Sequence, residues 1–174
     1  KKAVFNDCDY RLLSNDKAIT IEDMKTFDKN DKRNLGLYND SVYKIVKADK
    51  AVDLGLYEEK VFKNGKTKKV KSKGIVKQNI IITFSRKMME YQRYIRNKQI
   101  ERAKKILASS DPESVKKGPH DVTRFIKRTS ISKSGDKVTD SYYIDQSVIE
   151  EEEKYDGYYA VATNLDDDAK TIIE

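Results

Sequence analysis

The sequence predicts an α+β fold, a mostly antiparallel sheet accompanied by one long helix at about residues 86–107. Three observations predict it. Glu58 to Phe62 and Lys66 to Lys71 flank Asn64-Gly65, a pair whose tolerance of positive φ marks a β-hairpin. Val76 to Phe84 ends in the run Ile80-Ile81-Ile82-Thr83-Phe84, the composition of a central strand buried on both faces. From Arg86 to Leu107 there is no Gly or Pro and few β-branched residues, which predicts a helix of about 33 Å.

The elements follow in order along the chain. Residues 1–49 form a poorly defined N-terminal segment, weakly periodic and rich in Asn, Asp and Lys, with Leu12-Leu13 and Ile19-Thr20-Ile21 as short strands or turns. Ser41 to Lys47 alternates apolar with polar side chains, as a strand with one wet face does. Ser85 offers a hydroxyl to cap the long helix. At 100° per residue, Met88, Met89, Tyr91, Ile95, Ile100, Ala103, Ile106 and Leu107 form its packing face. Arg86, Arg93 and Lys104 form one basic stripe, and Lys87, Lys98 and Lys105 a second. Arg96, at the edge of the apolar face, is placed either to meet phosphate or to be anchored by a carboxylate.

Further on, Asp111-Pro112-Glu113-Ser114 starts at most a short helix, and Gly118-Pro119-His120 is a loop that leaves His120 exposed rather than catalytic. Val122 to Ile131 and Val138 to Ile144 read as a second hairpin around Ser132 to Lys137, Ser147 to Lys154 as a helix, and Tyr155 to Thr163 as a strand. Asn164 is placed to cap a last helix with Asp166, Asp167 and Asp168 in its first turn. Their favourable interaction with the helix dipole explains these aspartates better than a metal site does, because on one turn they point in different directions.

Composition bounds the function. The chain has 174 residues, with 36 Lys+Arg against 29 Asp+Glu, and only 7 Gly and 2 Pro, which excludes collagen-like and low-complexity classes. No apolar run approaches the ~20 residues that cross a bilayer, and the N-terminus lacks the apolar stretch of a signal peptide, so a cytoplasmic protein without a membrane partner is expected. A single Cys8 excludes an internal disulfide, and with a single His120 no Cys/His zinc site can form.

The net charge of +7 conceals a division: −1 over residues 1–59, +17 over 60–137 and −9 over 138–174. Between Lys60 and Lys105, 16 basic residues meet only Glu90 and Glu101. A surface so basic attracts polyanions by counterion release, and nucleic acid is the default partner. Two blander readings stand beside it: solvated lysines that keep the chain soluble, and neutralisation of the basic block by the acidic C-terminal third. A third makes residues 60–137 a docking surface for the acidic tail of another copy.

Three segments carry a family resemblance. Ile149-Glu150-Glu151-Glu152-Glu153-Lys154-Tyr155-Asp156-Gly157-Tyr158-Tyr159-Ala160-Val161-Ala162-Thr163-Asn164 resembles the stretch of bacterial insertion-sequence transposases that precedes their catalytic-glutamate helix. Asp53-Leu54-Gly55-Leu56-Tyr57-Glu58-Glu59 and the run from Ile82 through Arg93 to Ala103 are similar to the same family, and the three together span about residues 50–174. The resemblance implies an RNase H-like core with an Asp-Asp-Glu triad that binds two divalent metal ions, magnesium or manganese, with a β-rich insertion between the second Asp and the Glu.

On this reading residues 50–174 cover the insertion. The Glu is expected beyond Glu174 on a helix with a Tyr…Arg…Glu…Lys pattern, and both Asp before Lys1. The longer protein would cleave and transfer the strands of duplex transposon ends, dimeric on DNA, in the bacterial cytoplasm. This segment would contribute no catalytic or metal residue and no cofactor, and would be inactive alone; Asp156 is not assigned as a ligand. Its part would be to hold DNA, with Lys66, Lys68, Lys69, Lys71, Lys73, Arg86, Arg93, Arg96 and Lys104 as the candidate phosphate contacts. Tyr91 and Tyr94 lie between those arginines as candidate stacking residues, with Tyr91 the better fit to core packing. The family's stacking Trp has no counterpart, since the chain contains none. The alternative function is a non-catalytic nucleic-acid-binding or assembly module.

Overall fold

The computed structural model describes residues 8–108, 121–131, 139–165 and 167–173. The elements in order are β1 (Tyr10–Leu12), β2 (Ala18–Ile19), α1 (Ile21–Thr26), α2 (Leu35–Asn39), β3 (Val42–Val61), β4 (Thr67–Phe84), α3 (Arg86–Ala108), β5 (Ile126–Ile131), β6 (Thr139–Ile144), α4 (Gln146–Glu153), β7 (Tyr158–Thr163) and α5 (Ala169–Ile173). Short 3-10 turns occupy Lys32–Asn34 and Val122–Phe125. The α+β class and the mostly antiparallel sheet are as expected. The chain divides into two units, Lys1–Ser85 with Tyr159–Glu174, and Arg86–Tyr158.

The first unit holds a five-stranded sheet in the order β2-β1-β3-β4-β7. Its core is built at the base of β3 and β4, where Val42 faces Phe84 and Lys44 faces Ile82 across the strands. Val42, Ile82 and Phe84 are buried, as are Tyr10, Leu12, Ile21 and Met24 from the preceding elements. Ile81 and Ile82 are buried in succession, so β4 is covered on both faces there, as its apolar run requires. Lys44 is buried with its ammonium 4.5 Å from the centre of the Tyr10 ring, a cation held against an aromatic face. In the described part of the N-terminal segment, α1 is started by local capping. Thr20 Oγ1 accepts from the Asp23 N–H at 3.0 Å, and the Asp23 carboxylate accepts from the Thr20 N–H at 3.4 Å, a reciprocal box that starts α1. β7 lies beside β4, and the Thr83 hydroxyl donates to the Tyr159 carbonyl at 3.4 Å.

β3 and β4 form one long hairpin, longer than the separate segments that the sequence suggests, and β3 runs unbroken across residues 49 and 50. The interruption in β3 is a bulge between Asp53 and Tyr57, where Gly55 takes φ +69° and its N–H donates to the Asp53 carboxylate at 3.0 Å. The turn is the one expected at Asn64-Gly65. The Gly65 N–H donates to the Phe62 carbonyl at 2.8 Å, the Phe62 N–H to the Lys66 carbonyl at 3.0 Å, and Gly65 has φ +75°. That geometry excludes a Cβ without strain, so Gly65→Ala is expected to lower stability by about 1–2 kcal/mol in urea denaturation.

In the second unit β5 and β6 pair antiparallel from Ile126↔Ile144 to Ile131↔Thr139. Ala103, Phe125, Ile126 and Ile149 form the core, with Ile100, Ile106, Leu107, Val122, Tyr142, Ile144 and Val148 packed against it. The helix α3 has the expected extent, and of its expected packing face Ile100, Ala103, Ile106 and Leu107 join the core while the N-terminal half departs from it. Met89 and Ala103 are buried, whereas Met88, Tyr91 and Ile95 are exposed. β5 starts later than its apolar pattern suggests, because Asp121 accepts from the Thr123 N–H and winds Val122–Phe125 into a turn. The last helix likewise starts at Ala169 rather than at Asn164, and Asp167 precedes it. The expectations for Asp111–Ser114, His120, Ser132–Lys137 and Asp166 lie outside the described residues. No described helix is long and apolar enough to cross a membrane.

Candidate nucleic-acid interface

The nine candidate phosphate contacts divide between the units, five on the β3–β4 hairpin and four on α3. On the hairpin, every residue from Asp53 to Lys69 is exposed, so the outer part is an arm with no core on either face. Side chains of a strand alternate between its faces, and directly paired residues of two strands share one. Register therefore sorts the lysines: Lys69, Lys71 and Lys73 stand on one face, Lys68 on the other, with Lys66 leaving the turn.

The two faces differ in electrostatics. Lys69 lies opposite Glu59 and Lys73 opposite Asp53, while Lys71 Nζ donates to the Asp53 carboxylate at 2.7 Å. Lys71, together with the Gly55 N–H, holds the Asp53 carboxyl below the usual carboxylate range. Of the three lysines on that face Lys71 is ion-paired, and Lys69 and Lys73 lie opposite carboxylates across the ladder. On the other face Lys60 lies directly opposite Lys68, a like-charged pair that weakens the ladder. Lys63 and Lys66 belong to the turn beside it, and from Lys60 to Met89 the chain has no acidic residue. Among the described residues no carboxylate pairs with the ammonium groups of Lys60, Lys63, Lys66 or Lys68. The lysines without a carboxylate directly opposite them are thus gathered at the tip. Lys60 and Lys63 are absent from the sequence-derived candidates, although the Asn64-Gly65 turn signal already brackets both.

On α3 the arginines are mostly committed within their own unit. Arg96 is 5% exposed, and its guanidinium grips Asp156 with both arms, Nη1 donating to Oδ1 at 2.9 Å and Nη2 donating to Oδ2. Asp156 favours the charged form of Arg96 and raises its already high pKa. Arg93 Nε donates to the same carboxylate at 3.3 Å, and the Gly157 N–H donates to Gln92 Oε1 at 2.7 Å. Arg124 completes the network with a 2.7 Å bond to Glu152 and another of 2.7 Å to Gln99, its guanidinium carbon 4.1 Å from the centre of the Phe125 ring.

Arg96 is accordingly removed from the phosphate candidates, because burial and a bidentate carboxylate leave it no face for another anion. Of the remaining three, Arg86 pairs with Glu90 at 3.3 Å, Arg93 stays half exposed beside Asp156, and Lys104 is exposed without an ion pair among the described residues. Tyr91 and Tyr94 are both exposed, which corrects the assignment of Tyr91 to the core, and the Lys98 ammonium lies 5.7 Å from the Tyr94 ring centre. A cleft of ≈ 510 Å³ borders Tyr91, Ile95, Arg96, Arg124, Tyr155 and Asp156. Its charges satisfy one another and leave none aimed at a ligand.

Among the described residues no three His, Cys, Asp or Glu side chains converge as metal ligands, and Asp156 is occupied by arginine. Comparison with family models, with curated proteins and with solved structures returned no match.

Proposed function

We propose that this chain is the DNA-holding part of a bacterial insertion-sequence transposase of the Asp-Asp-Glu class, and that the tip of the β3–β4 arm is where it takes hold. The family part of the proposal rests on the order and spacing of the three resembling segments. The holding part rests on one observation: Lys60 and Lys68 face each other across the arm, exposed and with no carboxylate directly opposite either, Glu58 of the same face being engaged by the Ser72 hydroxyl at 2.6 Å, and Lys63 and Lys66 lie alongside. Two ammonium groups in that position repel in the free protein, and a backbone phosphate between them removes the repulsion. Contacts of this kind fix position without reading sequence.

Fluorescence anisotropy of a labelled duplex across a salt series tests the holding function. Engagement of about six phosphates, four at the tip and two elsewhere, gives a logarithmic salt slope of about −5 with little dependence on sequence. A flat titration overturns the reading. The family part has its own test, since the encoding reading frame should continue past Glu174 into a helix with the Tyr…Arg…Glu…Lys pattern. A continuation without that helix leaves the binding result standing and favours the non-catalytic binding module.

A further inference from the structure

We infer that Phe62 is a wedge that kinks duplex DNA when the arm tip is bound; the inference rests on the proposal that the tip grips DNA. Phe62 sits where β3 enters the turn and is 47% exposed, although a large apolar side chain at an isolated hairpin tip has no core to join. Its backbone is held. The ladder bond from the Phe62 N–H to the Lys66 carbonyl and the Gly65 N–H bond to the Phe62 carbonyl lock the residue in the turn, so its side chain does not swing with a loose loop. Alternation from Lys60 puts Phe62 on the same face as Lys60 and Lys68. The tip therefore presents one aromatic side chain on a backbone held in the turn, with Lys60 and Lys68 next to it on its own face and Lys63 and Lys66 next to it in the turn.

Duplex DNA matches that pattern, with two phosphate rows separated by a stack of apolar faces. Apolar side chains driven between base steps unstack them and bend the helix, while flanking cations neutralise the phosphates that the bend brings together. An anionic membrane is the other surface that attracts lysine and phenylalanine together, but adsorption to a bilayer grows with the apolar area of a single face. Here the exposed apolar side chains are divided. Tyr57, Val61 and Ile75 alternate onto the face opposite Phe62, and Leu54 and Leu56 lie further down the arm at the bulge, where Leu54 packs beside Gly74, so no second large exposed apolar side chain of Phe62's face adjoins it at the tip. The arrangement suits one insertion at one step.

The test uses the 174-residue chain and a duplex of about 25 base pairs with a donor and an acceptor dye at its two ends. Binding should shorten the end-to-end distance as expected for a kink of about 20–90°. Phe62→Ala should bind less than tenfold more weakly with the same salt slope, yet leave the end-to-end distance at the value of the free duplex. Phe62→Leu, which keeps an apolar wedge, should restore most of the shortening. Circular dichroism and melting temperature should be unchanged in both variants, since Phe62 belongs to neither core. A normal bend with Phe62→Ala, or tight binding by the unaltered chain with no bend, overturns the wedge and leaves the grip intact. Absence of duplex binding overturns both. Co-sedimentation with phosphatidylserine vesicles but not with duplex overturns the wedge in favour of a membrane-directed tip.

Discussion

Asp156→Ala should destabilise the second unit by about 3–5 kcal/mol, the cost of leaving a buried guanidinium without its bidentate partner and with only Glu153, 3.9 Å away, as counter-ion. The effect is large because Asp156 serves two arginines. It accepts from Arg96 in bidentate fashion and from Arg93 at 3.3 Å, and it is itself buried. Arg96→Ala should cost a similar amount, and Arg96→Lys should recover little, since a single ammonium cannot reproduce the planar fork that matches a carboxylate. A paired replacement with apolar residues of similar volume, Arg96→Met with Asp156→Leu, should recover most of the loss, because it removes both desolvated charges together. Urea denaturation of the four proteins decides the matter. A change below 1 kcal/mol in both alanine variants would mean that the pair is solvated and that Arg96 remains open to an outside anion.

The second large effect acts in opposite directions on stability and binding. Lys60→Glu turns the like-charged pair with Lys68 into an opposite-charged one, which should stabilise the hairpin by about 0.2–1 kcal/mol. The same change removes one phosphate contact and adds a repulsive charge. At 0.1 M salt each lost contact is worth about 0.9 logarithmic units, so Lys60→Ala with Lys68→Ala should weaken duplex binding roughly 60-fold and flatten the salt slope by about 1.8. Lys60→Glu should cost at least about eightfold alone. Lys71→Ala is the internal control, since its ammonium already serves Asp53 at 2.7 Å, and its loss should change affinity less than either tip lysine does. Equal effects at Lys68 and Lys71 would show that register does not decide which lysines meet DNA.

The parts of the fold that were legible in the sequence are those with a local cause. Asn64-Gly65 announces its turn because only a few residue types tolerate the backbone there, and the absence of Gly and Pro from Arg86 to Leu107 announces α3. The unbroken length of β3 was not legible. Asp49, Lys50, Asp53 and Gly55 interrupt the apolar alternation, and pairing continues past them only because β4 supplies a matching edge and the bulge at Gly55 absorbs the misfit. The N-terminal half of the α3 packing face departs from the apolar periodicity for a related reason. Periodicity treats an arginine as a solvated residue, whereas Arg96 is drawn inward by a carboxylate sixty positions further along the chain. The basic block of residues 60–137 was visible as a count, but a count does not separate lysines that have a partner from those that do not. That separation depends on cross-strand register, which Asn64-Gly65 nearly determines: fixing the turn assigns Lys60 to Lys68 and Lys69 to Glu59 at once.

The neighbouring positions of β4 and β7 have a consequence for how this polypeptide can be rebuilt. The chain departs at Ser85 and rejoins at Tyr159, strands already side by side and tied by the Thr83 hydroxyl. The segment from Arg86 to Tyr158 thus leaves and returns through one doorway, and a short glycine-serine bridge across it should give a smaller protein that still displays the arm.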